Sequence, residues 1–197
     1  ICDEIQVLAP SKKGIAGVEN INKVIQQNLN PISIDDNEIK YGANIFRVND
    51  RVIHIKNNYD LSYISLDGRQ GTGIFNGEMG RIIAINKELP ALTVQFDDDK
   101  IATYTRSDFE QLQLAYAITV HKSQGSEFKV VIFVAMENNI MLATRNLLYT
   151  GITRGKSAVV IVGQKPIISR MIGNNRIDKR NSMLLNFIQE EAAFSLN

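Results

Sequence analysis

A polar segment between two apolar runs constrains the fold of this chain more than any other feature. Residues 119–128 carry a hydroxyl, an imidazole, a lysine and a carboxylate, and we expect a turn followed by a helix there. The flanking runs, residues 114–118 and 130–134, are short and apolar, which is typical of strands buried in a parallel sheet. Because α/β sheets bind ligands beyond the carboxyl ends of their strands, this segment predicts a ligand site in an α/β domain.

The same α/β pattern recurs on both sides of this segment. Residues 5–9 predict a short strand that Pro10 ends, and apolar side chains follow at helical spacing over residues 18–29. A second polar block, residues 147–156, precedes another apolar strand at residues 158–162. Helical patterns close the chain at residues 166–172 and 183–193.

The middle of the chain has a different character. Residues 51–56 alternate as a half-buried strand does, and further short strands are predicted at residues 81–85, 92–96 and 101–104. Several glycines separate these runs, and residues 97–99, three aspartates, predict a solvated turn. Short strands at close spacing indicate a small antiparallel barrel. We therefore predict an α/β domain formed by residues 1–45 and 114–197, interrupted by a barrel at residues 46–113.

Composition excludes several functional classes. The 197 residues carry a net charge of only +1, so any nucleic-acid contact needs a local cluster of cations. One cysteine, Cys2, excludes an internal disulfide and fits a reducing compartment, so we expect a cytoplasmic protein. Two histidines without a CxxC pair predict no metal site. No apolar run is long enough to span a membrane. Because Ile1 is an unusual start, we expect a fragment of a longer protein.

Two blocks of sequence carry a resemblance to a known family. The blocks AITVHKSQGSEF, residues 117–128, and LLYTGITRGK, residues 147–156, resemble motifs V and VI of superfamily 1 helicases, in the form typical of the RecD/TraA branch. Residues 57–59 and 75–78 also look typical of that branch, so the resemblance covers essentially the whole chain. It implies that the α/β domain is a RecA-like domain of the P-loop NTPase type, helicase domain 2A, and that the barrel is the SH3-like domain 2B.

The resemblance implies the C-terminal part of an ATP-dependent DNA helicase. In such an enzyme ATP and Mg²⁺ lie between domain 2A and the N-terminal domain 1A of the same chain, and single-stranded DNA is the track, travelled from 5′ to 3′. Residues 151–157 end in Gly-Lys-Ser, but the glycine spacing is one residue too short for a P-loop and a strand follows instead of a helix. We therefore expect half of an ATP site here, and no ATP hydrolysis by this chain alone.

The resemblance also assigns residues to the nucleotide. Arg154 matches the motif VI arginine that stabilises the γ-phosphate across the domain cleft; the alternative is an arginine that caps a helix end. Glu127 matches the glutamate that contacts the ribose; the alternative is an exposed residue at a strand entry. Gln124 is the weaker member of this group, and Gly125 would let the backbone approach the nucleotide. Lys13 lies where relatives have a phosphate-binding arginine, although lysine lacks the bidentate fork; the alternative is a solvated basic turn.

Thr119, His121 and Lys122 match the DNA-facing part of motif V, because a hydroxyl, an imidazole and an ammonium can each donate to phosphate oxygens. We expect His54 to be structural. Tyr149 is expected either to pack in the core or to have a functional role, and Thr153 to orient Arg154 or bond to nearby backbone. Cations and aromatic side chains of the barrel could also contact single-stranded DNA by charge and stacking: Arg47, Arg51, Lys56, Arg69, Arg81, Tyr59, Tyr63 and Phe75.

Two other functional classes compete with the helicase. One is a non-enzymatic module that binds single-stranded nucleic acid or protein, with a vestigial helicase domain. The other is a self-standing NTPase with an unrecognised phosphate loop. The presence of both Arg154 and Glu127 favours the helicase over the vestigial module, and the absence of a P-loop pattern counts against the NTPase.

Overall fold

The computed structural model describes residues 4–32, 38–136, 142–175 and 187–188. Four strands form a parallel sheet, in which residues 117–119, 5–9, 128–135 and 155–163 lie side by side in that order. Its elements, with the helices that accompany them, are β1 (Ile5–Ala9), α1 (Val18–Leu29), β11 (Ala117–Thr119), β12 (Phe128–Ala135), α2 (Arg145–Ile152), β13 (Gly155–Gly163) and α3 (Lys165–Gly173). The predicted α/β class is therefore confirmed.

Apolar side chains on both faces of the parallel sheet hold the helices in place. Phe133 and Leu8 belong to the core that α2 and α3 cover, and Met171 of α3 is almost fully buried there. On the opposite face, Ile21 of α1 packs near Val134. β13 is the edge strand and is largely exposed. No helix among the described residues is long and apolar enough to cross a membrane.

The register of the strands shows which of their ends lie together on each side of the parallel sheet. Phe128 lies beside Gly155 where β12 and β13 begin, and we call this end the amino edge. Thr119 lies beside Ala9 where β11 and β1 end, and we call this end the carboxyl edge. Residues 120–127 therefore run back along the sheet from the carboxyl edge to the amino edge.

A seven-stranded antiparallel sheet is inserted between α1 and β11. Its order is β10-β4-β7-β8-β9-β5-β6. Its strands are β4 (Arg51–His54), β5 (Asn58–Ser65), β6 (Gln70–Ile74), β7 (Met79–Asn86), β8 (Ala91–Phe96), β9 (Lys100–Thr105) and β10 (Leu112–Leu114); a hairpin of β2 (Glu38–Tyr41) and β3 (Asn44–Arg47) precedes them. The three aspartates do form the turn between β8 and β9, with Asp99 at φ 68°. Within residues 38–136 no ladder joins β6 to β10, so a closed ring of paired strands is not observed.

The buried carboxylate of Asp50 ties α1 to the inserted sheet. It accepts hydrogen bonds from Gln26 Nε2 at 2.6 Å and Asn30 Nδ2 at 2.8 Å, both on α1 or its cap. It also accepts from the Arg47 backbone at 2.7 Å and the Tyr116 hydroxyl at 2.8 Å. Burial nevertheless raises the pKa of Asp50, because desolvation outweighs these four donors.

The strand predicted at residues 114–118 is in fact two strands. β10 ends at Leu114 in the antiparallel sheet, and β11 begins at Ala117 in the parallel sheet, because the chain leaves one sheet for the other between them. The helix predicted at residues 166–172 matches α3. The pattern at residues 183–193 falls almost wholly outside the described residues.

Candidate functional site

Packing of α2 against β12 positions Arg154. Thr144 caps the helix N-terminus by accepting a hydrogen bond from Leu147 N at 3.2 Å. Gly151 lies in the last turn, where an added Cβ would stand 2.5 Å from two ring carbons of Phe133. Only glycine lets the helix approach β12 this closely, so the end of α2 and Arg154 after it have a fixed place at the amino edge.

The guanidinium of Arg154 bridges the end of α2 and the segment before β12. Its Nε donates to Thr150 O at 3.2 Å, and its Nη1 donates to Ser126 O at 3.3 Å. A third contact joins Nη2 to the Thr153 hydroxyl at 3.4 Å. The bond to Thr150 is the helix-end cap considered above. All three acceptors are neutral oxygens, and no carboxylate within the described ranges forms an ion pair with Arg154.

Glu127 lies at the same edge and forms an ion pair with a lysine. Lys156 Nζ is 3.0 Å from Glu127 Oε2, and both side chains are more than half exposed. The hydrogen bond and charge of Lys156, with a smaller contribution from Arg154, hold the pKa of Glu127 below its ordinary value. The structure therefore brings Arg154 and Glu127 together with Lys156, which the sequence did not single out as a partner.

Gly125 and Gln124 occupy the exposed turn that leads to Glu127. Gly125 has φ 83°, a conformation that side chains disfavour, and an added Cβ would meet open space. The backbone conformation of the turn therefore requires glycine at this position, whereas no close neighbour within the described chain does.

The DNA-facing residues predicted from motif V lie at the other edge. Thr119 ends β11, and His121 and Lys122 are exposed in the turn after it. This turn is not the helix that the sequence predicted: only single turns form, such as Lys122 N to Thr119 O at 3.0 Å. The turn is anchored by Ser123, which is fully buried and donates its hydroxyl to Val120 O at 2.7 Å.

Two lysines after β1 share this carboxyl edge. Lys13 is exposed in the loop that follows Ala9, so the structure does not bring it to the edge that carries Arg154. Lys12, which the sequence did not single out, lines a cavity together with Lys122. Partial desolvation of its ammonium against the cavity lining, and then the positive charge of Lys12, lower the pKa of Lys122.

The remaining predicted residues have clear surroundings. Tyr149 is 65% exposed, so core packing is excluded. Thr153 donates its hydroxyl to Tyr149 O at 2.9 Å while contacting Arg154. His54 is fully buried beside the Tyr104 hydroxyl at 3.0 Å, and burial lowers its pKa to about 4, which agrees with a structural role. Within the described residues no group of acidic, histidine or cysteine side chains could hold a metal.

Most of the cations considered above, on the hairpin and the inserted sheet, are already paired. Four of those considered above contact carboxylates: Arg47 with Glu38, Arg51 with Asp97, Lys56 with Glu110, and Arg69 with Asp67. Tyr59 and Phe75 form an edge-to-face pair with centroids 5.6 Å apart. These internal pairs reduce the charge that this surface offers to a phosphate backbone.

Family models match both parts of the chain. Residues 21–96 match the model described as ATP-dependent RecD-like DNA helicase SH3 domain, and residues 114–162 match the UvrD-like helicase C-terminal domain. The chain belongs to the family of RecD-like helicases. The recognition made from motifs V and VI is therefore confirmed.

Similar proteins extend this match over most of the chain. The ATP-dependent RecD2 DNA helicase of Deinococcus radiodurans is 31% identical over 185 residues, which is 94% of this chain and 23% of that protein. The RecBCD enzyme subunit RecD of Buchnera aphidicola is 27% identical over 86% of this chain and 26% of its own length. The chain thus spans about a quarter of these RecD-like relatives.

Solved structures agree on the fold. In a structure of two coordinating Pif1 helicases at forked double-stranded DNA, one chain matches with a TM-score of 0.56 and 20% identity, over 98% of this RecD-like chain and 44% of the other. Pif1 helicase from Candida albicans matches with a TM-score of 0.52 and 13% identity, over 98% and 50% of the two chains. At these identities the likeness concerns the fold alone.

Proposed function

We propose that this chain supplies domains 2A and 2B of an ATP-dependent DNA helicase that moves along single-stranded DNA. Residues 1–45 and 114–197 would form the RecA-like domain 2A, and residues 46–113 the SH3-like domain 2B. The observation that carries the proposal is the meeting of Arg154 and Glu127 at one edge of the sheet, with the motif V hydroxyl and cations at the opposite edge.

The amino edge fits half of an ATP site. Arg154, without a carboxylate partner within the described ranges, can turn toward the γ-phosphate and stabilise the charge that develops during phosphoryl transfer. Glu127, paired with Lys156, can accept the ribose hydroxyls. Gln124 and Gly125 form the adjacent turn. Domain 1A would supply the P-loop and the groups that hold Mg²⁺.

The carboxyl edge fits the DNA backbone. Thr119, His121 and Lys122 present donors to phosphate oxygens, and Lys12 and Lys13 add charge from the neighbouring loop. Residues 120–127 connect this edge to the nucleotide edge without a helix between them. Closure of domain 1A onto Arg154 and Glu127 would shift that segment and with it the DNA contacts, a hinge cycle that hydrolysis reverses. Travel from 5′ to 3′ follows from the family resemblance.

The test is the substitution Arg154→Ala in the longer helicase that contains this chain. DNA-stimulated ATP hydrolysis is expected to fall by about three to five orders of magnitude, while DNA affinity changes little. Arg106→Ala is the matched control, because Arg106 is an exposed arginine of the inserted segment and belongs to no proposed site. Undiminished ATP turnover in the Arg154 variant would contradict the assignment of Arg154 as an arginine finger. It would favour the alternative, a non-enzymatic module that binds single-stranded nucleic acid or protein.

A further inference from the structure

Two surface cavities of the described chain differ sharply in charge. One, of about 630 Å³, lies between α1, the β2–β3 hairpin and the end of β11. The other, of about 760 Å³, lies over β5, β6 and β9, and its charged lining consists of Asp60 and Asp108. The first is lined by four lysines, and we call it the lysine groove: Lys12, Lys23, Lys40 and Lys122.

The positive charge of the lysine groove is poorly compensated. Among the described residues that line it, Glu19 is the one carboxylate, and it lies 3.7 Å from Lys12. Arg47 also lines the groove, but its charge is met by Glu38 at 2.9 Å. Lys23 and Lys40 form no ion pair within the described residues. In a chain whose net charge is +1, this cluster of lysines makes a local positive field that attracts a polyanion.

The lysine groove adjoins the residues at the carboxyl edge that we propose to bind DNA. Thr119 and Lys122 belong both to the motif V turn and to the lining of the groove. From there the groove passes along α1, where Asn22, Lys23 and Gln26 line it, to the hairpin, which carries Lys40. Single-stranded DNA bound at Thr119 would therefore meet further cations along this groove, away from the parallel sheet.

Single-stranded DNA fits the lysine groove better than a single nucleotide does. Arg154 and Glu127 lie at the amino edge, whereas the groove opens from the carboxyl edge. A phosphate chain in the groove would therefore be separate from the proposed ATP site. The four lysines lie on four segments: the loop after β1, α1, β2 and the turn after β11. Cations spread in this way suit successive phosphates of a backbone, each met by one point charge.

We propose that the lysine groove carries the backbone of single-stranded DNA beyond the motif V turn, with Lys23 and Lys40 binding phosphates that Thr119 does not reach. The inference rests on the proposed DNA edge and extends it. It assigns a DNA contact to α1 and to the β2–β3 hairpin.

The salt dependence of DNA binding tests the groove. Anisotropy of a labelled oligo-dT would be measured with the 197-residue chain over a series of salt concentrations. Each lost phosphate contact lowers the slope of log affinity against log salt by about 0.7 for a single strand, so Lys23→Gln with Lys40→Gln is expected to lower it by about 1.4. That corresponds to about a 25-fold loss of affinity at 0.1 M salt. Lys87→Gln with Lys129→Gln removes the same charge elsewhere and is expected to leave the slope unchanged.

Protection of an introduced cysteine from alkylation tests directly whether DNA occupies the lysine groove. Ala43 is exposed in the hairpin and lines the groove. In a Cys2→Ser background, saturating oligo-dT is expected to slow maleimide alkylation of Ala43→Cys. An unchanged slope in the double lysine variant, or alkylation at the same rate with DNA present, overturns the groove. Equal displacement of the oligonucleotide by polyglutamate at matched charge also overturns it.

The experiments distinguish an error in the lysine-groove proposal from an error in the proposed DNA contacts at the carboxyl edge. If Thr119→Ala with His121→Ala weakens binding while the lysine variants do not, the edge stands and the groove is wrong. If the wild-type chain binds no oligo-dT at low salt, both are wrong, and the ATP half-site is still judged by Arg154→Ala.

Discussion

Replacing Gly151 by alanine tests the contact that positions Arg154. The new Cβ would lie 2.5 Å from Cδ2 and Cε2 of Phe133, well inside the van der Waals distance. Phe133 is fully buried and belongs to the core beneath α2. Either the ring or the helix must move, and movement of the helix displaces Arg154 three residues later.

The expected magnitude follows from two opposing effects. An extra methyl in a packed core costs about 1–3 kcal/mol of unfolding free energy. Alanine in place of glycine inside a helix returns about 1 kcal/mol. Gly151→Ala is therefore expected to change stability by about 0–2 kcal/mol in the destabilising direction. Gly173→Ala is the matched control, because no atom lies within 4 Å of its added Cβ and it ends α3. It should stabilise by about 0.4–1 kcal/mol.

Urea unfolding of Gly151→Ala and Gly173→Ala measures the free-energy cost of the clash between the new methyl group and Phe133. Their difference in unfolding free energy is expected to be about 0.4–3 kcal/mol. Adding Phe133→Leu to Gly151→Ala should recover part of the loss, with a coupling energy of about 0.5–3 kcal/mol in the double-mutant cycle. If Gly151→Ala is as stable as Gly173→Ala and the cycle is additive, the contact between α2 and Phe133 does not position Arg154.

Three further predictions concern titratable groups. Asp50→Ala leaves the Arg47 amide and the Tyr116 hydroxyl buried without their acceptor, which should cost about 2–6 kcal/mol in urea unfolding; a loss under 1 kcal/mol would contradict the buried network. Because the folded pKa of His54 is about 4 and its ordinary value 6.5, stability should fall as pH drops between these values, by at most about 3 kcal/mol. His54→Gln should flatten that part of the pH–stability curve, and an unchanged curve would count against a neutral buried imidazole. Lys156→Gln should raise the pKa of Glu127 in a carboxyl NMR titration, whereas no change would mean that the ion pair is not formed in solution.

Local patterns predicted most elements of this fold. The helical spacing over residues 18–29 and the apolar runs at residues 5–9 and 130–134 correspond to α1, β1 and β12, since their side chains repeat with the period of the element itself. The predicted helix after Thr119 did not form. That segment must return along the sheet to Phe128, and an extended path with single turns covers this distance where a helix would not. The predicted domain boundaries and the roles of the site residues stay predictions.

The sequence by itself determined the family and the alternation of strands and helices, because motif wording and apolar periodicity are properties of neighbouring residues. It placed Thr119 and Glu127 in one polar cluster. Only the tertiary structure decided that they lie at opposite edges of the sheet, since the register of β1 against β11 and β12 sets which ends align. The lysine groove was likewise invisible in the sequence. Lys23 and Lys122 are far apart in the chain, and only the packing of α1, the hairpin and β11 brings them to one cavity.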